Sequence, residues 1–244
     1  MKKLSRRKHL FAASVMLLLA MGSASAQTLI GAVTHLSGTL LVKRGADTRM
    51  LSVKSEVYEG DILITQAGTY ARFKFKDQGE IVMRPESQLE VTGYSYDEAV
   101  PGKDNAAMSL LKGGLRAVTG LIGQRNRDKY AVRTVTATIG IRGTHFGALM
   151  CTNDCGSIPT PSGGPPPNGL HVDVAQGAVS LTNQGGSQVV NAGQFAYVRD
   201  NVTPPVIQPP QQGIQVTMPA QISRNTASGR TVGSKREDME CTVQ

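Results

Sequence analysis

One alternating run that ends in a glycine constrains this chain more than any other segment. Val135, Ala137, Ile139 and Ile141 fall on one face, and Thr134, Thr136 and Thr138 fall on the other. Apolar residues at every second position, many of them β-branched, specify a half-buried strand. Arg142-Gly143-Thr144 then breaks the run before His145-Phe146. A glycine at that point marks a bulge or a tight bend.

Strand and turn signals recur on both sides. Gly38-Thr39-Leu40-Leu41-Val42 ends at Lys43-Arg44-Gly45-Ala46-Asp47. Ala71, Phe73 and Phe75 alternate with Arg72, Lys74 and Lys76, and Asp77-Gln78-Gly79 supplies a turn. Leu170, Val172 and Val174 alternate with His171 and Asp173, and residues 195–198 read as a last strand. Residues 106–123 mix helical spacing with Gly113-Gly114, and the glycines favour a strand there. A loose repeat of glycine followed by apolar and small residues begins at Gly38, Gly114 and Gly177. Together these predict a mainly β protein, one sandwich-like or short solenoid-like domain.

The run from Val135 to Phe146 resembles the signature of the FecR-type domain, an extracytoplasmic β-rich module associated with iron-dicitrate sensing. Residues 59–65, with the Gly60-Asp61 turn, resemble that family's turn-strand motif. Residues 71–75 and 79–87 resemble its central hairpin, and 176–181 with 192–194 resemble its closing strands. The resemblance implies structural roles for Gly60, Asp61, Arg142, Gly143, Thr144, Gly177 and Gly193. The classical regulators of this type place a cytoplasmic sigma-factor-contacting segment before a membrane helix. Only about ten residues precede the apolar run here, so anti-sigma activity is not carried over.

Residues 1–26 read as an export signal. Lys2, Lys3, Arg6, Arg7 and Lys8 precede an apolar run from Leu10 to Met21, and Ala24-Ser25-Ala26 offers a cleavage site before Gln27. Ser5-Arg6-Arg7-Lys8-His9-Leu10 also resembles a twin-arginine motif. The apolar run is shorter than the roughly 20 residues that span a bilayer, so no membrane span is expected after cleavage. Loss of the five basic residues leaves 21 Lys and Arg against 18 Asp and Glu, and the net charge falls from +8 to +3. Nucleic-acid binding then loses its main support. A periplasmic or secreted location follows.

That compartment permits oxidation, and Cys151 and Cys155 are expected to bridge each other, leaving Cys241. Zinc, with His145 or His171 as a third ligand, is the sharper alternative; no metal or cofactor is expected. The expected domain runs over residues 27–199, with an irregular Cys/Pro-rich loop at 151–169. Its proline-rich part is expected to stay mobile. Residues 200–244, Pro- and Gln-rich and then polar, read as a disordered tail outside the core.

No catalytic constellation emerges. His35, His145 and His171 lack a neighbouring acid or nucleophile pattern, and Glu80/Glu86 and Asp97/Glu98 read as solvated pairs. Arg142 admits two roles, an anion contact or a structural tie across the bend, and the structural one is favoured. Arg72, Lys74 and Lys76 form a basic stripe, with Tyr94 and Tyr96 nearby, on which an anionic polymer can lie; a solvated sheet face is the plainer explanation. The reading is an exported, non-enzymatic binding or interaction module. Its partner is an envelope protein or anionic polymer. An envelope enzyme acting on polysaccharide is the alternative.

Overall fold

The computed structural model of the protein describes residues 27–161 and 163–223. The expected export signal, Cys241 and the last part of the expected tail lie outside the described residues. Seventeen strands form one continuous hydrogen-bonded sheet that folds into two layers. Layer one runs β4 (Glu56–Tyr58), β1 (Leu29–Leu36), β6 (Ala71–Phe75), β7 (Glu80–Met83), β9 (Asn105–Val118), β12 (His145–Cys151), β13 (Gly169–Gln176), β16 (Phe195–Val198) and β17 (Val206–Gln208). Layer two runs β3 (Asp47–Leu51), β2 (Leu40–Arg44), β5 (Ile62–Thr65), β8 (Gln88–Ser95), the same β9, β10 (Tyr130–Arg133), β11 (Thr138–Ile141), β14 (Ala178–Asn183) and β15 (Gly186–Asn191).

β9 belongs to both layers. Residues up to Lys112 pair with β8, and Gly113 onward pair with β12. Gly113 makes the transfer, with φ +74° and a position where a Cβ would stand 2.3 Å from Ser87 Oγ. No other residue type meets both conditions. A short helix α1 (Leu121–Arg125) links β9 to β10, which runs parallel to it. The inward side chains of both layers make one core, including Leu40, Leu63, Phe73, Met83, Leu110 and Phe146. Burying the alternate apolar positions of facing layers is what makes this architecture stable.

The two-layer arrangement is the sandwich-like alternative. The loose repeat does not mark stacked coils: Gly38 and Gly177 lead into β2 and β14 of layer two, while Gly114 lies within β9 in layer one. Two details of the alternating run change. The strand starts at Thr138, and Val135 is exposed at 65%. The Thr134 hydroxyl accepts from the amides of Thr136 and Ala137, at 3.2 and 3.1 Å, and folds residues 134–137 into a turn.

The larger correction concerns the segment after residue 199. Up to residue 223 it is docked on layer one. β17 extends that layer, and Ile214, Val216 and Ile222 are buried. Ile214, Val216 and Met218 pack with Leu149, Cys151, Cys155 and Ile158 in a second apolar cluster. The strap from Gly213 to helix α2 (Ala220–Ser223) therefore covers the outer face of layer one. This is why β13 is buried on both faces, with His171 and Asp173 each only 4% exposed. Cys151 and Cys155 are disulfide-bonded across a Cα–Cα distance of 5.5 Å. Their thiolates are thus not available to zinc. Ile158 ties the loop down, against the expectation that nothing in it could dock.

Candidate functional site

Ile139 and Ile141 anchor the signature strand in the core, and the chain bends at Gly143, which has φ +65°. Four elements converge on the bend. Thr144 N donates to Thr119 Oγ1 at 2.9 Å, and Thr119 N donates back to Thr144 O at 3.0 Å. Arg142 N donates to Ala178 O at 2.9 Å. Gly177, at φ +76°, lies so close that a Cβ there would stand 2.2 Å from Gly143 O. Backbone and hydroxyl groups thus hold the bend, and the Arg142 side chain is left outside it.

Arg142 is exposed, and its guanidinium makes no hydrogen bond or ion pair among the described residues. The structural tie expected of its side chain is not formed. Instead it rims a polar groove of about 830 Å³ between α1 with its following turn and the outer face of layer two. Ala131, Gly140 and Ser180 lie abreast on β10, β11 and β14 and make the floor. Arg127 stands on the wall, also without a side-chain partner among the described residues. Arg125 is held elsewhere: it is paired with the buried Asp104 at 2.7 Å and sits over the Tyr96 ring at 4.9 Å.

Residues 61–180 match the family model described as FecR protein. This segment is a FecR domain. It contains the bend, the groove floor and the disulfide. No curated protein matches the chain. Two crystal structures, each of a candidate anti-sigma factor from Parabacteroides distasonis ATCC 8503, are similar to it at 12% identity, with TM-scores of 0.46 and 0.45. Each match covers 63% of this chain, and the chain spans about 60% of the length of those proteins.

Asp61, Gly60 and Gly193 sit in turns that shape the fold. Asp61 is fully buried; its oxygens accept from Arg44 Nε and Nη2 at 2.6 and 2.8 Å and from Tyr58 N at 2.9 Å. Arg44 also stacks over the Tyr58 ring at 4.4 Å. The hydrogen bond to Asp61 raises the Arg44 pKa. Gly60 and Gly193 turn the chain at φ +83° and +80°, and Gln194 Oε1 accepts from Asn191 N as Asp61 does from Tyr58 N.

The basic stripe is not continuous. Lys74 and Lys76 are exposed, but Arg72 is buried beneath the strap. It donates to Thr34 Oγ1 at 3.0 Å and to Ile222 O at 3.3 Å. Arg84, just past the end of β7, and Arg116 on β9 likewise donate to Thr217 O at 3.0 Å and Val216 O at 3.4 Å. Three arginines on or beside adjacent strands therefore hold one strap by its carbonyls. Tyr94 points into the core, where its hydroxyl binds Asp77; burial, with Asp77 adding to it, raises its pKa.

A second cavity, about 270 Å³, opens at the strap edge between Val82, Val118, Val216 and Met218. Glu80, Arg116 and His145 reach it. Glu80 Oε2 is buried without a hydrogen-bond partner, but Glu86 lies exposed past the far end of β7, so the two acids are not paired. Asp173 is committed to an ion pair with Arg116 and accepts from Val216 N at 2.9 Å. Burial and the nearby Arg116 lower the His145 pKa, with Asp173 opposing. Burial also lowers that of His171, which stacks on Tyr197 and donates from Nε2 to Pro167 O at 2.8 Å. Asp97 and Glu98 are exposed and serve Arg125 through their carbonyls. Ser180 had no sequence signal of its own; only the register of β11 and β14 brings it beside Gly140, and the turn after α1 brings Arg127 to the same groove.

Proposed function

We propose that the chain is an exported FecR-domain module that works in the cell envelope by binding a partner rather than by catalysis, in a sensory or assembly role. The distribution of charge carries this reading. The buried acids Asp61, Asp104 and Asp173 are each held in an ion pair by an arginine, which commits them to structural contacts rather than to proton transfer. Glycoside hydrolysis needs two working carboxyl groups across a substrate site. The cavity at the strap supplies Glu80 alone, because Asp173 is committed. Arg127 and Arg142, on an open groove, are cations without a partner among the described residues. Export is supported by the basic, apolar and small-residue order of residues 1–26.

The test uses the exported protein as bait against solubilised envelope. Wild type should retain a defined partner, and periplasmic protein should begin at Gln27. Release of fragments from envelope polysaccharide, abolished by Glu80→Gln, would replace this reading with the enzymatic one. Full-length protein held in the inner membrane would defeat the export part.

A further inference from the structure

The geometry points to the groove lined by Arg127 and Arg142, with Arg133 beside its Thr138 end, as a binding site for an acidic polysaccharide. This deepens the binding-module reading and rests on it. Ten arginines fall within the described residues, and six have a hydrogen-bond or ion-pair partner for the side chain. Of the other four, Arg49 lies on β3, Arg127 and Arg142 line this one groove, and Arg133 stands opposite Thr138 beside its end. A guanidinium without a partner is suited to bidentate recognition of a carboxylate or phosphate. Asp128 is the one acid lining the groove, and the Arg125 charge is already matched by Asp104.

Gly140 gives an independent reason. It lies inside β11, where a glycine weakens a strand unless something approaches the backbone closely. Nothing among the described residues does so: a Cβ on Gly140 would meet only Ser180 O, at 3.8 Å. The space above Gly140 is open, and it is the floor of the groove. Arg142 stands two residues along, just past the end of the same strand. Thr138 stands two residues the other way, with Arg133 opposite it on β10. The cations therefore bracket a shallow strip about 13 Å long, at roughly 3.3 Å per strand residue.

The floor selects the kind of polyanion. β10, β11 and β14 are each hydrogen-bonded on both sides, so no free backbone edge is offered to an incoming peptide strand. Thr138 and Ser180 present hydroxyls, and Gln124 and Asn126 on the wall present amides, all suited to sugar hydroxyl groups. No exposed ring stacks over the strip, so charge supplies the affinity and salt weakens it.

The experiment titrates the full exported chain with oligogalacturonate, its methyl ester and polyglutamate. Oligogalacturonate should bind at low salt, and the ester at least tenfold more weakly. The Arg127→Gln/Arg142→Gln pair should weaken binding tenfold or more. Gly140→Val should abolish binding with an unchanged melting temperature, since its side chain enters open space. Lys74→Gln and Lys76→Gln, on layer one, should leave binding unchanged. No binding of oligogalacturonate, binding by the arginine pair within twofold of wild type, or tighter binding of polyglutamate would overturn the assignment. If the arginine pair still retains the wild-type envelope partner, the groove is refuted while the module reading stands. If wild type retains no partner, the module reading itself fails.

Discussion

Gly177 and Gly143 meet backbone to backbone: a Cβ on Gly177 would stand 2.2 Å from the Gly143 carbonyl oxygen. The contact locks the signature bend to the start of β14, and both glycines have positive φ. Their replacements differ in kind. An alanine at Gly143 enters open space and meets only the left-handed backbone cost, about 1 kcal/mol. At Gly177 the same cost is joined by a collision with backbone that cannot rotate away, and the sum should reach about 3 kcal/mol. Urea midpoints of Gly143→Ala and Gly177→Ala should fall in that order. Gly143→Val should lose more than its alanine counterpart. Equal midpoints for the two alanine variants would show that the contact does not bear on stability.

Asp173 fastens the strap twice, by its ion pair with Arg116 and by its bond from Val216 N. Asp173→Ala leaves Arg116 without its counterion beneath the strap, and breaking a buried pair from one side costs about 3–5 kcal/mol. Limited proteolysis followed by mass measurement should then find cleavage between residues 209 and 219 before any cut in the β-layers. Wild-type resistance in this variant would place the hold of the strap elsewhere.

Ile158 and the disulfide share one apolar cluster with Ile214 and Val216. Ile158→Ala should lower stability by about 1 kcal/mol, less than for a fully buried isoleucine because Ile158 is only partly covered. Removing residues 159–165 while keeping Ile158 should leave the melting temperature nearly unchanged. Peptide mapping without reductant should recover Cys151 linked to Cys155; free thiols at both positions would contradict the bridge.

His145 and His171 resist protonation in the folded state, chiefly because of burial, partial at His145 and near complete at His171. Above the ordinary imidazole pKa, near 6.5, neither folded nor unfolded chain carries the proton, and the histidines contribute nothing to pH dependence. As the pH falls through that value, the unfolded chain takes up protons that the folded chain refuses. Stability therefore drops, until the lowered folded pKa is passed and the loss levels off. Urea midpoints should decline between about pH 7.5 and 5. The His145→Asn/His171→Asn variant should show a shallower decline. A midpoint that rises on acidification in wild type would refute the assignment.

The strands of both layers were readable because their inward positions keep period two, as in Ala71-Phe73-Phe75 and Leu170-Val172-Val174. Turns announced themselves through Gly60-Asp61, Gln78-Gly79 and Gly193. The strap did not. Ile214, Val216 and Met218 alternate, but three positions among prolines and glutamines are too few to separate a docked segment from a linker. Missing the strap also misplaced Arg72: its neighbours Lys74 and Lys76 are exposed, and only a segment 150 residues away covers it. Arg142 was legible as the residue of interest in the bend, but not its role. Whether an arginine finds a partner depends on which strands lie beside it, and the register of β10, β11 and β14 is a long-range property.

The passage of β9 through both layers has a mechanical consequence. Lys112, Gly113 and Gly114 join the layers by peptide bonds, so one layer cannot slide over the other unless β9 breaks its ladders on both sides. A pull on either layer is borne first by covalent chain and only then by side-chain packing. The groove on one layer and the strap on the other are thereby kept at a fixed attitude. A load taken up at one surface reaches the opposite surface as rigid displacement, with little lost to shear between them.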